Sequence, residues 1–122
     1  MTSEDYARTC LRTLRYVIDD IYGLDDEARF EGEDYKRLSI MLLTRIMGQG
    51  KDEYEVDNWT QAVETKPVRA LVLDIEEEIA DLVAYAVALK ERTNIHDECD
   101  ALVALGLEAM AVTQRISHAV QD

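Results

Sequence analysis

The chain is 122 residues long, carries a formal net charge of −13 and has a pI near 4.4. That length suits one domain, residues 1–122, with a modest core, and the charge excludes bulk neutralisation of a DNA or RNA backbone. Hydrophobic residues make up 48% against five Gly and one Pro, a balance that predicts a folded, mostly helical protein rather than an acidic disordered tail. The opening Met1-Thr2-Ser3-Glu4-Asp5 lacks the basic and apolar regions of a secretory leader. The longest nearly uncharged run, Leu82 to Leu89, is too short to cross a membrane. Cys10 and Cys99 fit a reducing compartment and give no disulfide framework. The expectation is a soluble, cytoplasmic protein with no membrane or nucleic-acid-backbone partner.

A first helix is predicted from about Glu4 to Tyr22. Thr2 or Ser3 can cap it, Glu4 and Asp5 favour the positive end of its dipole, and Gly23 stops it. Ala7, Cys10, Leu11, Leu14, Val17, Ile18 and Ile21 form its apolar face. After an acidic, Gly-containing connection, residues 24–33, a second helix spans roughly Asp34 to Met47 with Leu38, Met41, Leu42 and Ile46 inward. Gly48 and Gly50 then break the chain. Residues 51–64 read two ways. Val56, Trp59 and Val63 recur at helical spacing, while the acids and flanking glycines also permit a loop.

Pro67 suits the first turn of a third helix that continues to about Arg92. Leu71, Ile75, Ile79, Leu82, Ala86 and Leu89 fall within about 80° of one another and form its predicted buried face. Asp74, Glu77, Glu78 and Asp81 make an acidic stripe beside that face. Asp74–Glu78 and Glu77–Asp81 are like-charge i,i+4 pairs, and no Lys or Arg occupies positions 73 to 89 to relieve them. Either a divalent cation resolves the conflict or the stripe is simply solvated. Thr93 and Asn94 make a turn, with Asn94 the expected cap of a fourth helix from about Ile95 to Val120. Leu102, Val103, Leu105, Leu107, Met110, Ile116 and Val120 cover more than half of that helix, which predicts burial on two sides, in a bundle or at a subunit interface. The fold class expected is all-α, a four-helix bundle with an optional fifth short helix at 51–64, in an oligomer.

Carboxylates at i,i+3 on one helix, completed from a second, are a standard way to hold Mg²⁺. Glu78 and Asp81 have that spacing, preceded by Asp74 and Glu77. The run Glu76-Glu77-Glu78-Ile79-Ala80-Asp81-Leu82-Val83 resembles the Glu-x-x-Asp helix of the MazG-like nucleotide pyrophosphohydrolases, of the all-α NTP pyrophosphatase superfamily. The resemblance covers about 20 residues. It implies Mg²⁺ or Mn²⁺ bound by these acids, and hydrolysis of a nucleoside triphosphate to the monophosphate and pyrophosphate, with Glu77, Glu78 and Asp81 as catalytic residues. It also implies a homodimer or higher homo-oligomer. The family pairs this helix with a preceding Glu-x-x-Glu, which the second helix here lacks. Asp52-Glu53-Tyr54-Glu55 offers an acid pair instead, with Asp in the first place, so the expected metal ligands are Glu78, Asp81, Asp74, Asp52 and Glu55.

A second register would join Glu78/Asp81 to Asp97/Asp100. If helices three and four fold back at the turn, position 81 lies opposite about 106, and the rise from 81 to 91 is roughly 15 Å, too far for one shared metal. Glu108 faces Glu78 better than Asp97 does.

Around such a site Trp59 is a candidate to stack on a nucleobase and Asn58 to read its edge, against a plain core role for the tryptophan. Lys51, Lys66 and Arg69 are candidates for phosphate oxygens, against simple charge balance. His96 and Cys99 have a zinc-compatible spacing, but only Cys10 and His118 remain as further soft ligands, and a buried Cys beside a surface His is the simpler reading. Gly48-Gln49-Gly50-Lys51 is too short for a phosphate loop. The rival to the enzyme is a non-enzymatic acidic helical protein, an inhibitor or nucleic-acid mimic, whose stripe 74/77/78/81 contacts a partner.

Overall fold

Every element of the computed structural model is helical among the described residues, which are 2–22, 33–49 and 63–120. The all-α class therefore holds. The chain divides into two compact units, Met1–Thr65 and Lys66–Asp122.

In the first unit, α1 runs over Ser3–Tyr16 and widens into a π-helical stretch over Val17–Tyr22. Thr2 caps it with a full capping box: its hydroxyl accepts from the Asp5 amide at 3.1 Å, and the Asp5 carboxylate accepts from the Thr2 amide at 3.2 Å. Two orphan donors of the first turn are thereby satisfied. Ala7 and Ile18 are buried, and Cys10, Leu11, Leu14 and Val17 are half-buried, as the apolar pattern requires. The second helix, α2, spans Glu33–Leu43 and widens likewise over Thr44–Gln49. Its covered side differs from the expected one. Tyr35, Ser39, Leu42 and Ile46 turn inward, whereas Leu38 and Met41 are exposed. The covered residues recur at spacings of four, three and four, the seam by which one helix lies along another, and α2 with its extension packs on α1.

The second unit is a helical hairpin, α3 over Val68–Arg92 and α4 over His96–Ala119. Residues 63–65 are also helical, while positions 50–62, where a fifth helix was expected, lie outside the described residues. Pro67 is the residue that caps α3 rather than part of its first turn, with φ −58° and ψ 145°. Lys90 and Arg92 in the last turn complement the negative end of the dipole. Asn94 does not cap α4. Thr93 organises the turn, its hydroxyl accepting from the Ile95 amide at 3.3 Å and donating to the Leu89 carbonyl at 2.8 Å.

The seam between α3 and α4 is made by Val72, Glu76, Ile79, Val83, Ala86 and Lys90 on one side, all buried or half-buried. Cys99, Val103, Gly106, Met110, Thr113 and Ser117 face them. Both sets alternate steps of four and three, the pattern of an antiparallel coiled coil. The expected face of α3 is thus rotated: Ile79 and Ala86 are buried, but Ile75, Leu82 and Leu89 are exposed. The physical reason lies in α4, which offers small residues at Cys99, Gly106, Thr113 and Ser117. A Cβ built on Gly106 would stand 2.5 Å from a methyl of Val83, so the backbones meet along a stripe that hydrophobicity alone does not mark. Burial of α4 on two sides was expected; its described partner covers one.

Candidate functional site

The α3 acids do not share one environment. The coiled-coil frame puts Asp74 and Asp81 on the back of the helix, farthest from α4, with Glu77 and Glu78 to either side of that line. Asp74 is half-buried and bonded to Lys66 at 2.5 Å. Lys66 is therefore a counter-charge within the hairpin, which is the charge-balance reading of that residue. Glu76 was not among the expected site residues. It is half-buried in the seam and accepts from the Gln114 side-chain amide at 3.4 Å. The signal for it was in the sequence, as the four-three spacing shared by 72, 76, 79, 83 and 86 with 99, 103, 106, 110 and 113.

Glu77, Glu78 and Asp81 are exposed, and no salt bridge involves them among the described residues. They stand within little more than one turn of a straight helix and leave α3 together, unneutralised. The other expected ligands, Asp52 and Glu55, lie outside the described residues, as do Lys51, Asn58 and Trp59. Among the described residues no group of three or more His, Cys, Asp or Glu side chains is placed to hold a metal ion.

Hairpin register fixes what faces the acids across the seam. Lys90 bonds Asp100 at 2.7 Å, and Glu76 meets Gln114, so Asp81 is level with about Ala109. The expected partner was about 106; the difference is less than one helical turn. Asp100 is held near the turn by Lys90, whose ammonium is in turn held above the ordinary lysine range by that hydrogen bond and charge. Asp97 and Asp100 therefore sit at the turn end of the hairpin, away from Asp81.

Arg69 is exposed and lines a cleft with Val72, Leu73, Glu76, Ser117 and Val120 where the hairpin opens. The cleft holds about 170 Å³, below the roughly 300 Å³ at which small-molecule pockets begin. Among the described residues the zinc alternative has no ligand group behind it. Cys99 is 2% exposed in the seam, and the exposed His96 ring bonds the Thr93 carbonyl oxygen at 3.0 Å. Burial and the Tyr6 contact define Cys10: desolvation raises its thiol above the usual range, while the Tyr6 hydrogen bond pulls the other way. No helix among the described residues is long and apolar enough to cross a membrane. Comparison with protein-family models, with curated proteins and with solved structures gives no match to this chain.

Proposed function

We propose that the chain is a Mg²⁺-dependent nucleotide pyrophosphohydrolase that uses the outer edge of α3 as the acidic half of its site. One observation carries the reading. Of the five acids from Asp74 to Asp81, two are engaged within the hairpin, by Lys66 and Gln114, and Glu77, Glu78 and Asp81 are left exposed as a set. Glu78 and Asp81 would hold the metal, with Asp52 and Glu55 completing the shell. Mg²⁺ or Mn²⁺ would screen the phosphate chain and acidify a bound water. Glu77 is the carboxylate left over to accept the proton of the attacking water. That oxygen bonds to the α-phosphorus, the bridge to the β-phosphate breaks, and pyrophosphate leaves. Arg69, at the open end of the hairpin, and Lys51 are the cations for the phosphate oxygens, with Trp59 and Asn58 for the base. A nucleotide substrate and two free cysteines are what support a cytoplasmic location for such an enzyme.

The test is direct. Millimolar Mg²⁺ or Mn²⁺ should raise the melting temperature of the wild type, and Glu78→Gln or Asp81→Asn should abolish the rise. Pyrophosphate should appear from at least one common (d)NTP and not from those variants. No metal effect, together with no pyrophosphate from any (d)NTP, would sink the enzyme. The exposed acids would then favour the acidic binding protein, tested by capture of a defined basic partner with the 74/77/78/81 stripe reversed in charge.

A further inference from the structure

Lys66 stands at the root of α3. The next residue is Pro67, which restricts the backbone of Lys66 to extended conformations. The Pro67 carbonyl oxygen accepts from the amides of Ala70 at 2.9 Å and Leu71 at 3.1 Å, so the Lys66 side chain starts from a fixed point. Its ammonium meets the Asp74 carboxylate, eight residues on, at 2.5 Å. Asp74 is one corner of a patch of four carboxylates. Glu77 and Glu78 follow it by three and four residues, and Asp81 follows Glu78 and Glu77 by the same steps. On a helix each of these acids therefore neighbours two others. Among the described residues Lys66 is the cation that an ion pair joins to this patch, and it reaches one corner. Three carboxylates are left uncompensated.

We infer that Lys66 is a built-in competitor of the divalent cation: it holds Asp74 until metal displaces it, and so sets the metal threshold of the site. The inference rests on the pyrophosphohydrolase reading. The ammonium brings one charge, and its tether keeps its local concentration high. Free Na⁺ or K⁺ brings the same charge without the tether and gains nothing by replacing it. Mg²⁺ or Mn²⁺ brings two charges, and an all-carboxylate donor set suits either ion. An ion on Glu78 and Asp81 stands about one helical turn from Asp74. There it repels the ammonium, and Asp74 turns to a water that Mg²⁺ keeps in its shell. The exchange is feasible because the pair is half-open to solvent, with side chains 40% and 45% exposed. Such a pair is weak, whereas a buried one would lock the patch against metal.

The experiment is calorimetric titration of the full chain with Mn²⁺, using the wild type, Lys66→Gln, Asp74→Asn and the double variant. Lys66→Gln should tighten Mn²⁺ about two- to fivefold, the span of an exposed ion pair. Asp74→Asn should weaken it. In that background Lys66→Gln should have little further effect, because the pair is already gone. A second readout needs no altered protein. The chain has four lysines, Lys36, Lys51, Lys66 and Lys90, so ¹³C-labelled lysine gives a countable spectrum. Mg²⁺ should shift the Lys66 Cε signal of the wild type and leave that of Lys90, held by Asp100, in place. No tightening, equal tightening with and without Asp74, or a still Lys66 signal at Mg²⁺ saturation would overturn the inference and leave the enzyme standing. A wild type that binds no Mn²⁺ would instead fail the pyrophosphohydrolase reading, and the inference with it.

Discussion

Gly106 and Val83 lock the hairpin at its middle: a Cβ on Gly106 would lie 2.5 Å from a Val83 methyl and 3.9 Å from one on Ile79. A β-branched side chain has little rotamer freedom to yield. Gly106→Ala should therefore lower stability despite the better helix propensity of Ala. Overpacking costs about 1–3 kcal/mol against about 0.8–1 kcal/mol gained in propensity, so a net loss of roughly 1 kcal/mol is expected. Urea melts followed by circular dichroism would show it; an unchanged or higher midpoint would mean that the helices simply part.

Cys99 reports on the same contact. At 2% exposure in the seam, its thiol should react with a disulfide reagent only when the hairpin opens. Labelling should be slow in the wild type and faster in Gly106→Ala. A burst of two thiols per chain in native buffer would contradict the seam. Cys10, with its thiol raised by burial, should also lag behind a free cysteine at neutral pH.

The cap of α1 sets an acid limit. Hydrogen bonds from the Thr2 amide and hydroxyl region hold the Asp5 carboxyl below its ordinary value. A depressed carboxyl stabilises the fold above its unfolded pKa, and the contribution fades as pH falls through the folded one. Thr2→Ala should cost about 1 kcal/mol at neutral pH and flatten the acid side of the stability profile. Equal acid sensitivity in wild type and variant would remove Asp5 from the account.

Lys90 works at the other extreme. Its ammonium, raised by Asp100, supports the turn end of the hairpin fully below the unfolded lysine pKa. The support is lost as pH climbs through the higher folded value. Asp100→Asn should abolish this alkaline component, read as amide exchange near the turn, and leave neutral stability little changed, because the pair is largely exposed.

Without metal, the exposed acids of α3 still repel. Glu77 and Asp81 are an i,i+4 like-charge pair with no Lys or Arg between 73 and 89, unlike Asp74, which has Lys66. Asp81→Asn should stabilise the apo protein by about 0.2–0.5 kcal/mol, while Asp74→Asn should not. Reversal of that order in thermal melts would show the repulsion to be negligible.

The helices and the turn were legible because their signals are local: the Thr2 cap, the apolar face of α1, Pro67, and the polar Thr93-Asn94 break. The buried face of α3 was misread by less than a quarter turn. Large apolar residues marked Ile75, Leu82 and Leu89, but close packing selects for small size, and the deciding residues, Gly106 and Thr113, sit on another helix. Leu38 and Met41 on α2 fail for the same reason, since hydrophobicity tells what tolerates burial and not which partner arrives. The acidic stripe was legible as a charge conflict, yet only the hairpin shows that Lys66 engages its first member, Asp74, and Gln114 its neighbour Glu76.

Glu76–Gln114 near one end and Lys90–Asp100 at the other have a consequence for alignment. A slide of one heptad would bring Val83 from Gly106 to Cys99 or Thr113, where a Cβ already stands, so the middle of the seam resists it. Such a slip would set Glu76 level with Leu107 and Lys90 level with the turn, or push Glu76 past Val120 and set Lys90 level with Leu107. The two polar contacts thus act as end stops, and they reinforce at the ends the single alignment that Gly106 and Val83 set in the middle.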